Sequence, residues 1–156
     1  MADDAGEGLE RLAYELSLQA LGQQEGALNE LRARTGILIA ATSIVASFLG
    51  ARAAEAGSRA WLNVLALAAF AVSILASSYV LLPRQGLVFS LSGSALLEAE
   101  SEDPEGLHET YRRLSYWLDG YRRANGDRIG RLTVGFGVAA IALVVQAILW
   151  TVNLYL

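Results

Sequence analysis

The fold class this sequence predicts is all-α: an integral membrane helical protein with three transmembrane helices, cytoplasmic helices and a homo-oligomeric assembly. Three observations lead there. Of 156 residues, 54% are hydrophobic and 18% charged, against roughly 25% charged in an average soluble domain. The excess apolar residues fall in three arginine-bounded blocks, 35–51, 60–83 and 132–156, each near the ~20 residues that cross hydrocarbon as a helix. A chain of this length has too little polar mass to cover three such helices from water.

The first block is where a charged helix passes into an apolar one. Arg32 and Arg34 precede 17 uncharged residues, which at roughly 1.5 Å each span about 26 Å of helix. Only Gly36 interrupts the pattern, so the charged and apolar parts should form one rod. Leu, Ile, Val and Phe number seven, eleven and thirteen in the three blocks, and each favours insertion by about 0.3–0.6 kcal/mol. The first block is therefore the weakest span and leans on its neighbours.

Arginine placement sets the orientation, because basic residues at span ends stay cytoplasmic. Arg11, Arg32 and Arg34 lie before the first span, and seven arginines from Arg84 to Arg131 lie between the second and third. Only Arg52 and Arg59 fall in the opposite loop. The amino terminus and 84–131 should face the cytoplasm and the carboxyl terminus should lie outside. Met1 is followed by Ala2, Asp3 and Asp4 rather than a basic region, unlike a cleaved secretory signal. All 12 basic residues are arginine, and with the Ala, Leu and Gly bias this matches a high-GC bacterial genome. Cysteine is absent, which excludes thiol chemistry.

Taken in order, residues 1–34 read as a frayed acidic start, 1–8, followed by a cytoplasmic amphipathic helix. Leu9, Leu12, Leu16, Ala20, Gln23, Ala27 and Leu31 recur at three and four residues and draw a narrow seam, which Leu18, Leu21 and Leu28 broaden. It suits either another helix in an assembly or the chain's own cytoplasmic segment. Residues 35–83 read as a two-span hairpin. Gly36 with Ala40, Ser43 with Ser47, and Ala46 with Gly50 repeat small residues every four positions, as do Ala69, Ser73 and Ser77, a spacing that lets helix backbones approach in lipid. These stripes serve packing of the two spans on each other or packing between subunits. Pro83 closes the second span.

Residues 84–131 read as a cytoplasmic helical segment. Gln85 to Leu97 is too short to cross as a helix and should lie at the interface or beneath the cytoplasmic helices. Asp103 before Pro104 is a helix start, with Glu105 and Glu109 favouring the dipole. The helix that follows has Leu107, Tyr111, Leu114, Leu118 and Tyr121 on one face, and Asn125 with Gly126 reads as its break. The third transmembrane helix is 132–156 and carries Gln146 and Asn153 as buried amides.

No catalytic constellation is present: His108 is the lone histidine, and no nucleophile motif, phosphate loop or metal-ligand spacing appears. The expectation is a protein that is not an enzyme, with no metal and no cofactor. The three blocks contain no ionisable Asp, Glu, Lys, Arg or His, which excludes an ordinary proton-coupled transporter and leaves a pore lined by small and hydroxyl residues. Gly36, Ala40, Ser43, Ser47, Gly50 and Gln146 are the candidate pore or packing residues. The one chemically suggestive cluster is Arg112, Arg113, Tyr116, Trp117, Arg122 and Arg123, where aromatic faces can stack a base and guanidinium groups can grip a phosphate. The same residues equally serve as interfacial aromatic anchors and positive-inside charge.

Glu30 to Ala33 reads E-L-R-A immediately before the first span. This resembles the acidic-x-basic-Ala signature before the first span in the transmembrane effectors of the bacterial Pycsar anti-phage system and related two- and three-span effectors. The layout is also similar: an amino-terminal helix, a two-span hairpin, a cytoplasmic helical segment and a last span introduced by Arg122, Arg123, Arg128 and Arg131. The resemblance implies a homo-oligomer in the lipid bilayer that damages the inner membrane when a nucleotide second messenger from a partner cyclase or nucleotidyltransferase binds its cytoplasmic part. Duplex nucleic acid is not an expected partner. A non-conducting scaffold that recruits a soluble partner is the alternative.

Overall fold

The computed structural model describes residues 2–55, 59–90 and 106–155. Among them the regular structure is all helical: α1 is Ala2–Glu55, α2 is Ala60–Leu81 and α3 is Gly106–Tyr155. All three helices are long and apolar enough to cross a membrane. Helix α1 continues through Gly36 as expected, and it begins at Ala2, so the frayed start expected over 1–8 is helical from the second residue. The Asp103 and Pro104 helix start, Glu105 and residues 91–97 fall outside the described residues.

The chain divides into two compact units, each supplied by both α1 and α3. One is arginine-rich, Met1–Leu28 with Arg84–Ile129; the other is apolar, Asn29–Pro83 with Gly130–Leu156.

In the arginine-rich unit the core is Leu21 and Leu28 of α1 with Leu114 and Leu118 of α3, all at most 1% exposed. Tyr14 and Tyr111 extend it, with ring centroids 5.5 Å apart. The inward positions of α1 here are the half-buried Tyr14 and the buried Leu21 and Leu28, a spacing of seven. Leu21 and Leu28 belong to the broader edge of the seam read from the sequence, and its narrow line does not form the core. Leu9, Leu12 and Leu16 of that seam lie on another face and are 68%, 49% and 55% exposed. Gln24 Nε2 donates to the Arg122 carbonyl at 2.9 Å, tying the two helices by a polar bond as well.

The break expected at Asn125 and Gly126 is absent, because α3 passes through both. Asn125 is instead a clamp. Its buried amide donates from Nδ2 to the Val88 carbonyl at 2.7 Å and accepts the Val88 N–H on Oδ1 at 3.3 Å. The side chain thus supplies both bonds that a neighbouring strand would give residues 87–89, which have left the helix. The turn before them needs a left-handed residue, supplied by Gly86 at φ 86°, and Arg128 donates to the Gly86 carbonyl. Asn125→Ala should expose the Val88 amide to deuterium exchange at least tenfold faster and cost about 1–3 kcal/mol, since two backbone groups lose their partners. Unchanged exchange at Val88 would refute the clamp.

The apolar unit contains three packed helical segments whose residue pairings fix their directions. Thr42 meets Ser73, and Ser73 donates to the Ala139 carbonyl at 3.0 Å. Gly50 lies against the Trp150 ring, and Gly135 against Tyr79 and Val80. Positions on α1 and α3 rise together while those on α2 descend, as a chain that crosses the same slab three times requires. Pro83 follows the end of α2 as expected, and the Leu82 N–H closes the last turn on the Ser78 carbonyl at 3.0 Å.

Packing polarity in this unit is reversed relative to a soluble protein. Thr35, Thr42, Ser73, Ser77 and Gln146 are 0% exposed, whereas Ile37, Phe48, Leu75, Val134 and Ile141 are each at least 67% exposed. Only 11% to 22% of the most apolar window of each helix is buried. Thr35, Thr42 and Leu49 on α1 repeat every seven residues, as do Ala66, Ser73 and Val80 on α2 and Leu132, Ala139, Gln146 and Asn153 on α3. Seven residues are slightly under two straight helical turns, so the inward stripes stay together by gentle left-handed winding.

Candidate functional site

In the arginine-rich unit, the cluster expected from the sequence divides along α3 into an aromatic shelf and a set of arginines paired with carboxylates. Tyr116, Trp117 and Tyr121 surround a floor of Gly120 and Ala124, forming an open depression of about 530 Å³. The small floor residues come every four positions, so one helix face presents a flat shelf with aromatic walls. Tyr116 is 72% exposed and Trp117 42%. Arg113 approaches the shelf, its guanidinium carbon 6.0 Å from the Trp117 ring centroid. That contact orients the indole for stacking by cation–π attraction.

The remaining arginines are held elsewhere on the helix. Arg112 donates to Glu109 at 2.6 Å, while Arg122 and Arg123 converge on the two carboxylate oxygens of Asp119 at 2.9 and 2.6 Å. The Asp119 carboxyl titrates below its ordinary value of 3.8 because Arg122 hydrogen-bonds it and the charges of Arg123 and Arg122 favour its anion. Arg112 is pushed up by its bond to Glu109. These exposed pairs add little to stability, and each uses only part of the five N–H donors of its guanidinium. What the arrangement can do most readily is stack a planar ring beside one cation.

The second set of expected residues lies in the apolar unit and also divides. Gly36, Ala40, Ser43 and Ser47 are exposed on one outward face of α1. They therefore do not pack the first two spans on each other; that contact runs through Thr42 and Ser73. The Ser43 and Ser47 hydroxyls donate within α1, to the Ile39 and Ser43 carbonyls at 2.9 and 2.8 Å. Gly50 does pack inward, since a Cβ there would lie 3.4 Å from Trp150. Gln146 is fully buried, and among the described residues its Oε1 and Nε2 have no hydrogen-bonding partner.

Asn153 has a role that its residue type alone did not reveal. Its Oδ1 accepts the Arg59 N–H at 3.2 Å and its Nδ2 donates to Asn63 Oδ1 at 2.6 Å. Helix α2 has no side-chain cap of its own at Arg59, so an amide from α3 finishes its first turn. The repeat of seven on α3 from Leu132 through Ala139 and Gln146 to Asn153 was the signal that could have found it.

Compared with known proteins, the chain matches no family model, no curated protein and no solved structure.

Proposed function

We propose that this chain is a homo-oligomeric membrane effector of bacterial anti-phage defence. It sits in the inner membrane with its amino terminus cytoplasmic and its carboxyl terminus outside, and a cyclic nucleotide or similar signal makes it permeabilise or depolarise that membrane. The observation that carries the reading is the reversed packing polarity of the apolar unit, where hydroxyls and amides face inward and branched aliphatic side chains face outward. In water this arrangement would expose hydrophobic surface far beyond the few hundred Å² that soluble monomers show. In lipid it is the favourable one, because polar groups must be satisfied inside. The directions of α1, α2 and α3 agree with the orientation given by the arginines, and the outward stripe of Gly36, Ala40, Ser43 and Ser47 suits close approach of a second copy.

For the signal, the aromatic shelf supports a stacked base, and Arg113 beside Trp117 supports its phosphate. The layout and the E-L-R-A stretch support the defence context. Purified protein in liposomes loaded with a potassium-sensitive dye should leak when a cyclic nucleotide is added. Trp117→Ala should weaken nucleotide binding about tenfold or more, given roughly 1–3 kcal/mol per stacked base, whereas Arg112→Ala should change it less than twofold. Liposomes that stay sealed with every cyclic nucleotide tried would sink the effector reading.

One observation favours a second reading. Leu9, Leu12 and Leu16 form an exposed apolar stripe on α1, which suits a non-conducting membrane scaffold that recruits a soluble partner. Sealed liposomes together with loss of a co-purifying protein on Leu12→Asp would favour it.

A further inference from the structure

Polar side chains recur along the inside of the apolar unit at intervals of two helical turns, about 10 Å each. Thr35 lies at one end, and Thr42 with Ser73 lies two turns on. Gln146 follows two turns after Ala139, whose carbonyl Ser73 engages, and the Asn153 and Asn63 pair closes the other end. The end positions are engaged, because Thr35 donates to the Leu31 carbonyl at 2.7 Å and Asn153 accepts the Arg59 N–H and donates to Asn63, with one N–H and one lone pair to spare. The middle does not. Gln146 Oε1 and Nε2, Trp150 Nε1 one turn further along α3, and Ser77 Oγ on α2 are buried and have no hydrogen-bonding partner among the described residues.

Such groups are found in protein interiors chiefly where water supplies the partner, typically through about three hydrogen bonds per molecule. A glutamine side chain offers two donors and two acceptor lone pairs, and the Trp150 N–H, at i+4 from Gln146, adds a donor on the same helix face. On the outward face Ser43 and Ser47 donate to their own helix, as Thr42 does inside, but their neighbours are Ile44 and Phe48, both more than half exposed, and not a buried amide without a partner.

We propose that the interior of this bundle is a water-binding site centred on Gln146, and that this inner seam, not the outward serines, is the line along which small ions cross. The inference rests on the membrane placement proposed above and names the route that the leak takes. Gln146 and Trp150 hold water in the middle of the seam, and the Thr42 and Ser73 hydroxyls and the Asn153 amide continue it toward either end. Separation of the helices by the width of one water molecule joins these positions into a wetted path.

The chain contains no cysteine, so single-cysteine variants report one position at a time. Full-length protein carrying Ser73→Cys, Gln146→Cys, Ser43→Cys, Ile44→Cys or Ile141→Cys would be placed in liposomes and exposed to silver ion, a thiol probe close to water in size. Remaining thiols would be counted with a maleimide after unfolding. Protection at Ser73→Cys and Gln146→Cys at least tenfold faster than at the other three is the expected result. Equal slow reaction at all five positions, or fast reaction at Ser43→Cys with slow reaction inside, would overturn the proposal. Fast reaction at Ile44→Cys and Ile141→Cys as well would overturn the membrane placement itself. In the flux assay, Gln146→Leu, which keeps the volume and removes the amide, should insert normally and leak at least tenfold less. A leak equal to that of the parent protein would refute the route, even with the water site in place.

Discussion

Leu118→Ala should lower the unfolding free energy of the arginine-rich unit by about 2–5 kcal/mol, the range for truncating a buried leucine that leaves a cavity. Leu118 is 0% exposed and shares its core with Leu21, Leu28 and Leu114. That core is small, so the space left by the side chain stays largely unfilled. The loss should appear in urea titrations followed by tyrosine fluorescence or circular dichroism, as a lower midpoint with an unchanged slope. Leu16→Ala makes the comparison that assigns the effect to burial. Leu16 is 55% exposed, and its truncation should cost less than about 0.5 kcal/mol. If the two variants lost the same stability, the helix face identified here as the core would be wrong.

Trp150→Ala should cost the apolar unit about 3 kcal/mol, measured by unfolding in mixed micelles of increasing detergent denaturant. The indole is 4% exposed and forms a cluster with Ala53 and Ala66, against which Val45, Leu49, Leu149 and Leu154 pack. Its ring also lies over Gly50, close enough that a Cβ there would touch it at 3.4 Å. In lipid the transfer term that dominates in water is absent, so the cost comes from lost dispersion contacts and an unfilled cavity. The figure therefore sits at the low end of the 3–5 kcal/mol typical for tryptophan truncation in soluble cores. Phe48→Ala removes another large ring, but Phe48 is 71% exposed, and acyl chains should replace it at little cost. A similar loss for both variants would mean that Trp150 is not a keystone of this packing.

The sequence made the three apolar stretches plain, because length and hydrophobicity alone mark a candidate span. The buried face was not plain, and the reason is physical. In water a core announces itself by leucines, and Leu9, Leu12 and Leu16 draw the eye first. The positions that α1 buries also include Tyr14, Thr35 and Thr42, which share with Leu21 and Leu28 a spacing of seven but not a residue type. Where the surroundings are apolar, inward positions are marked by hydroxyls and amides, so a search for the greasiest stripe finds the outside. Asn125 misled for a related cause: asparagine before glycine is a common stop signal, yet here its amide is occupied by Val88 and the helix has no reason to end. Of the cluster expected to bind a ligand, the aromatic members could be placed on one face from helical spacing. That Glu109 and Asp119 would take up three of the four arginines depends on rotamers that spacing alone does not fix.

The amide that finishes the first turn of α2 has a consequence for how the protein is made. Asn153 lies 90 residues beyond its partner Asn63 and leaves the ribosome long after α1 and α2 have been synthesised. Until it arrives, the Arg59 N–H lacks its amide partner and the Ser73 hydroxyl lacks the carbonyl of Ala139. The pair of α1 and α2 is thus incomplete by itself, and the third helix supplies the carbonyl and the amide that complete it.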